Sequence, residues 1–217
     1  MPDFDLRRRM MVDTQIRPSD VTKFPIIEAF LAILRENFVP TGMEEAAYVG
    51  ENLTIAPGRV MLEPRSLAKM LDEVNLVQDE LALVIGAGQG YSAAIIGHIA
   101  QAVVALESDL DLAREAASNL SEAEIYNVAV VTGPLNLGAS EHGPYDAILI
   151  EGAVEQVSDA VLSQLKEGGR IIAIFTEAAL GVVRIGYKLS GKIAWRFAFN
   201  AGAPTLEDFK AAKDFVL

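Results

Sequence analysis

Between residues 81 and 175 the chain alternates short unbroken apolar runs with segments whose apolar residues recur every three or four positions. The runs are 81–85, 102–106, 128–131, 147–150 and 170–175. Apolar stretches this short, with no polar residue at every second place, predict strands covered on both faces, as in a parallel sheet flanked by helices. The segments between them, 93–100, 110–120 and a stretch near 157–165, predict those helices. The expected fold class is α/β, a doubly wound, mostly parallel sheet.

The flanks read differently. Residues 3–34 favour helix, with Pro18 and Pro25 as boundaries and an apolar run at 24–34 that should pack on the main body. Pro40, Thr41 and Gly42 break the chain, and residues 43–64, holding Pro57, Gly58 and Pro64, read as an irregular segment draped over the domain. Helix resumes at Ser66, where Leu67, Met70, Leu71 and Val74 share one face. Near the end, 182–189 and 192–199 flank Ser190 and Gly191, which predicts an antiparallel hairpin on one sheet edge. Residues 206–215 read as a short helix. With no internal repeat and no low-complexity linker, one domain is expected: an N-terminal helical cap and irregular segment over 1–80, and the core over 81–217.

Composition narrows the chemistry. The 217 residues are 51% hydrophobic and 22% charged, a balance that supports an ordered core. A net charge of −12 repels phosphate backbones, so nucleic acid is not an expected partner. Arg7, Arg8 and Arg9 could dock on an acidic partner, but read first as an exposed basic helix start. Having no cysteine, the chain has no disulfide and no thiolate nucleophile or ligand. His98 and His142 lack partners at metal-ligand spacing, so no metal is expected. Trp195, among alternating apolar neighbours, reads as core. The start of the chain is too short and polar for a signal-peptide core, and no stretch reaches the roughly 18 apolar residues of a membrane helix. A cytoplasmic protein with no membrane partner is expected.

The strongest chemical signal follows the first core strand. Gly86, Ala87, Gly88, Gln89, Gly90 and Tyr91 place three glycines where an apolar strand ends and a helix begins. Such a turn lets a ligand approach the main chain, and the helix beyond it offers free N–H groups. The next strand ends in Glu107, followed by Ser108, about twenty residues on, where a carboxylate can accept hydrogen bonds from two ribose hydroxyls. These eight residues are the candidate cofactor-binding set, and the turn and the acid are expected to face one hollow shaped for a nucleoside. A dinucleotide fingerprint wants glycine where Tyr91 stands; Gly-x-Gly-x-Gly is more like S-adenosylmethionine binding.

Several motifs in order then resemble the protein-L-isoaspartate O-methyltransferases: Met10, Met11, Val12, Asp13, Thr14, Gln15, Ile16 and Arg17; Arg35, Glu36, Asn37, Phe38, Val39 and Pro40; Ala47 and Tyr48; the glycine turn; Pro144, Tyr145, Asp146, Ala147 and Ile148; and Gln164, Leu165, Lys166, Glu167, Gly168 and Gly169. The resemblance implies a Rossmann-like methyltransferase fold and S-adenosylmethionine as cofactor. It also implies a protein or peptide substrate, the carboxylate of an isoaspartyl residue, methylated so that damaged protein is repaired. Three departures stand out. Where the family carries Ile-Ser-Gln-Pro, with the serine at the reacting centre, this chain has Met61, Leu62, Glu63 and Pro64. Val84 replaces an acid before Ile-Gly, and Gly133, Pro134 and Leu135 replace a Gly-Asp-Gly expected near the adenine. Glu63 and Glu151 are the candidate catalytic residues, Glu151 as general base or substrate anchor at the end of the fourth core strand; a solvated carboxylate is its blander account. The alternative function is an inactive relative that keeps the fold to bind a nucleoside, peptide or partner.

Overall fold

The structure, a computed structural model, describes residues 3–177 and 180–211. Helix α1, Phe4–Met11, starts where the Asp3 carboxylate accepts the Leu6 N–H at 3.0 Å, and runs on through a π turn, Val12–Ile16. After α2, Phe24–Ala32, come two short strands, β1, Leu53–Ala56, and β2, Arg59–Met61, paired antiparallel. Helix α3, Pro64–Val74, begins with a proline whose missing N–H needs no partner there, and ends at Asn75 in the left-handed conformation.

The core alternates as the apolar runs predict: β3, Leu81–Ile85; α4, Tyr91–Ile99; β4, Ala102–Glu107; α5, Leu110–Glu122; β5, Val128–Thr132; β6, Tyr145–Val154; α6, Asp159–Ser163; β7, Leu165–Glu177. Asp109 caps α5 by accepting the Asp111 and Leu112 N–H groups. The antiparallel β8, Leu180–Leu189, and β9, Lys192–Asn200, extend the edge, giving the order β5-β4-β3-β6-β7-β8-β9 with every pair up to β6–β7 parallel. The sheet and its flanking helices are the expected α/β fold, with the helical N-terminal extension and the C-terminal hairpin in place.

Alternate strand residues feed two cores. Val84, Ala105, Leu149 and Ile172 pack under α2, α3 and α4, whereas Ile85, Leu106, Ile148 and Ala173 pack against Val161, Leu165, Leu206 and Phe209. The second face is therefore covered by short elements and by a C-terminal strap rather than by long helices. Three expectations need correction. Residues 43–64 are not irregular throughout, since 53–61 form the β1–β2 hairpin around Pro57 and Gly58. Helix α6 is five residues long, because the chain turns back into β7 at Leu165. The helix read at 206–215 is a single 3₁₀ turn at Glu207–Phe209, and its residues 212–215 lie outside the described residues. Among the described residues, no helix is long and apolar enough to cross a membrane.

The cap is held by a buried polar cluster that takes in Arg8, 8% exposed, which corrects its reading as part of an exposed helix start. The Tyr48 hydroxyl donates to Glu36, whose carboxylate lies 3.6 Å from Arg8. Burial and the bond to Glu36 push the Tyr48 phenol far above its ordinary range. At the start of β8, a Cβ added at Gly181 would fall inside the Ala201 carbonyl, and the Ala201 N–H is itself bonded to the Gly181 carbonyl. Gly181→Ala is expected to destabilise the protein by about 1–3 kcal/mol, read as a lower urea midpoint with an unchanged slope.

Candidate functional site

Strand β3 has β4 on one side and β6 on the other, so the sheet reverses its winding at the C-terminal end of β3, where open α/β sheets receive ligands. The glycine turn sits there. The Gly86 and Ala87 N–H groups both reach the Leu106 carbonyl, at 2.8 and 3.1 Å, which docks the turn onto the end of β4. Gly88, at φ +55°, turns its N–H to Glu107 Oε2 at 2.8 Å. Turn and acid thus meet as expected.

Glu107 has no exposed surface, and its carboxylate is saturated. Oε1 accepts the Ser108 and Asp109 N–H groups at 2.8 and 3.0 Å. Both oxygens also accept the guanidinium of Arg59, Nη1 to Oε1 and Nη2 to Oε2, each at 2.6 Å. An anion buried this completely needs a cation or several donors, and here it has both.

The expected hollow is therefore filled by the protein itself, and this corrects the sequence reading. Arg59 Nη2 lies 3.2 Å from where a Gly86 Cβ would stand, and Ile55 Cδ1 lies 2.6 Å from the corresponding point at Gly88. Both come from the β1–β2 hairpin. From the other side Leu206 approaches Gly86 and Gly152, carried by a strap that Ala153 holds through its N–H to Pro204 and its carbonyl to the Leu206 N–H, each at 2.9 Å. Asn52 joins the two coverings, donating to the Gly202 carbonyl at 2.7 Å and accepting the Glu63 N–H at 2.8 Å. Beside them a cleft of about 320 Å³ opens at the ends of β4 and β5, lined by Leu106, Thr132, Gly133, Pro134 and His142 among others. That is where the resemblance puts the adenine.

The other candidates divide. Ala87 is buried in the turn, and Ser108 caps Glu107 through its N–H. The Gln89 side chain reaches Glu115 on α5. Tyr91 is a cap residue: its ring packs edge-on to Phe30 and Phe38 under the Arg35 guanidinium, and burial pushes its phenol up to about 12. Val84 is wholly buried in the apolar core. Glu63 is used locally, accepting the Ser66 hydroxyl at 2.6 Å and the Arg65 guanidinium at 3.1 Å at the start of α3.

Glu151 is the surprise. It is not solvated but 3% exposed, and its carboxylate takes the Ser92 hydroxyl from the first turn of α4. Burial raises its pKa to about 7, with the Ser92 hydroxyl, the Leu62 amide and the charges of Arg35 and Arg59 pulling partly back. Its main chain lies against Gly86, so its backbone and the glycine turn border the same crevice. A carboxyl with a pKa near neutrality is a group that can hold or release a proton.

Two residues of this site were absent from the sequence reading as functional candidates. Arg59 was signalled by the Pro57–Gly58 pair, which marks a turn between two short apolar segments and so brings their residues over the core. Arg35, 1% exposed, donates Nε to the Ala47 carbonyl at 2.6 Å and Nη2 to the Leu62 carbonyl at 2.8 Å, fixing the segment that carries Leu62 and Glu63. No local pattern separates it from a surface arginine.

This arrangement has relatives. A chain from Koribacter versatilis, named protein-L-isoaspartate O-methyltransferase, is 31% identical over 190 residues, covering 88% of this chain and 86% of its own length. One of the same name from Vibrio campbellii is 36% identical over 154 residues, 71% of this chain and 74% of its own. A solved protein-L-isoaspartate O-methyltransferase superposes with a TM-score of 0.84 at 24% identity, covering 94% of this chain and 67% of that one. A Plasmodium falciparum structure described in the same terms, in complex with S-adenosyl-L-homocysteine, superposes at 0.79 with 17% identity over 96% of this chain and 100% of its own. These two structures bear on the fold. The sequence pattern of one family spans residues 7–191, from the cap through the whole parallel sheet. With that span and the identity to its named members, the chain belongs to the protein-L-isoaspartate(D-aspartate) O-methyltransferase family.

Proposed function

We propose that this chain is an S-adenosylmethionine-dependent methyltransferase acting on carboxylates of isoaspartyl residues in proteins. The observation that carries the reading is the Glu107 fork at the switch point of the sheet, backed by the Gly88 N–H. Its chemistry fits the cofactor: Arg59 presents two donors side by side to the two oxygens, the same demand that two vicinal ribose hydroxyls make. S-adenosylmethionine supplies a methyl group on a positively charged sulfur.

In this reading Glu107 accepts the ribose hydroxyls, Ser108 and Asp109 hold Glu107 from behind, and the backbone of Gly86, Ala87 and Gly88 lies against the nucleoside. Methyl transfer to a carboxylate needs alignment more than proton transfer. The position of the family serine is held by Leu62, whose side chain is fully buried. The acceptor is therefore placed by other groups, and Glu151, whose pKa burial raises to about 7, is the carboxyl that can hold or release a proton beside it.

Calorimetry with S-adenosylhomocysteine, followed by a labelled-methyl assay on an isoaspartyl peptide, tests this function. Binding and turnover are expected, with Glu151→Gln lowering kcat/KM about tenfold or more. Turnover untouched by Glu151→Gln would remove that residue from the site. The covering of the glycine turn by Arg59, Ile55 and Leu206 favours a second reading, a relative that keeps the fold without turnover. The absence of any binding heat up to millimolar ligand decides for it.

A further inference from the structure

We infer that Arg59 is an internal occupant of the nucleoside crevice, a latch that a ligand must displace from Glu107 before it can enter. The inference rests on the cofactor reading above and goes beyond it, because it assigns to this chain its own competitor for the site.

Three observations converge. The first is chemical identity of demand: the guanidinium uses both carboxylate oxygens, at 2.6 Å each, so no oxygen of the fork remains for a second bidentate donor. The second is space. Arg59 Nη2 and Ile55 Cδ1 stand against the glycines whose missing side chains leave room for close approach, so ligand and hairpin contend for one volume. The third is that the latch can leave. Glu107 keeps the N–H groups of Gly88, Ser108 and Asp109 when the guanidinium goes, so the acid is not stranded. The Arg59 side chain is 12% exposed, which gives it a way out. It is also borne by a two-stranded hairpin, the least self-sufficient kind of sheet.

A site closed most of the time binds with an affinity reduced by the fraction of molecules that are open. Removing the latch removes that reduction and, in the same molecule, removes a buried ion pair that stabilises the ligand-free state. A purely structural role for Arg59 would move stability without improving affinity.

The test uses the full chain as wild type, Arg59→Gln and Arg59→Lys, titrated with S-adenosylhomocysteine by calorimetry and melted with and without ligand. Arg59→Gln is expected to melt lower when free yet to bind about 10- to 100-fold tighter than wild type, with Arg59→Lys, which keeps the charge but loses the fork, in between. Should the glutamine variant fold poorly, the lysine variant gives the same comparison. Equal affinity in wild type and variants would overturn the latch while leaving the cofactor reading standing. Weaker binding in the variants would make Arg59 a ligand contact and also overturn it. No binding by any of them up to millimolar ligand would sink the cofactor reading, and the latch with it.

Discussion

Arg35→Ala is expected to lower the melting temperature by about 10 °C, from a loss of roughly 3–5 kcal/mol. The guanidinium is buried, and it supplies the donors for the carbonyls of Ala47 and Leu62 and packs 4.6 Å from the centre of the Tyr91 ring. Alanine takes away all of these together. Two buried carbonyls lose their partners, at about 1–3 kcal/mol each, and a large void opens beneath the cap. Glu151 also loses a cation that favours its charged form. Arg35→Lys should recover only part of the loss, because one ammonium does not reproduce a fork that reaches two carbonyls in different directions. Scanning calorimetry at neutral pH reads both variants. A fall of less than about 2 °C for the alanine variant would mean that water takes over the two carbonyls.

The second large effect depends on pH. In the unfolded chain Glu151 titrates near its ordinary value of 4.5, and in the folded chain near 7. Between those values the folded state holds a proton that the unfolded state has released, so raising the pH through this window favours unfolding. The contribution of Glu151 to stability is thus intact below pH 4.5, declines as pH rises to 7, and stays at its lower level above. A displacement of about 2.5 units corresponds to roughly 3 kcal/mol. Glu151→Gln has no charge to bury, so it should match wild type near pH 4.5 and exceed it by roughly 3 kcal/mol at pH 8, or about 6–12 °C in melting temperature. Paired denaturation curves across pH 4.5–8 measure the difference. A gap that does not change with pH would show that the carboxyl does not titrate in this window.

How much of this could be read from the chain depends on how local each determinant is. The buried strands announce themselves because a parallel strand covered on both faces has no room for polar alternation, and 81–85, 102–106 and 128–131 all became strands. The glycine turn and Glu107 were legible for the same reason: each lies at a fixed offset from a strand end. Burial of Glu151 was not, because β6 continues past Ile150 through an irregular stretch to Val154, and its bends rather than its composition decide which side chains go inside. Arg59 was hidden differently. An arginine after Pro57 and Gly58 looks like a solvated turn residue, and only its meeting with Glu107, 48 positions away, gives it a role. The departures at Leu62 and Val84, legible as substitutions, acquire meaning once both side chains are seen to lie wholly inside the apolar interior.

The strap that roofs the crevice does double duty, and this decides which wall can move. Leu206 and Phe209 are each 2% exposed and belong to the apolar core under the thinly covered face of the sheet. Lifting them into water costs about 1.5–3 kcal/mol apiece, before the backbone bonds of Ala153 are counted. On the opposite side Ile55 and Arg59 keep somewhat more of their surface in water, the Arg59 side chain being 12% exposed. Traffic into the molecule consequently runs past the hairpin, as through a door hung on one jamb, while the carboxyl-terminal stretch behaves as masonry.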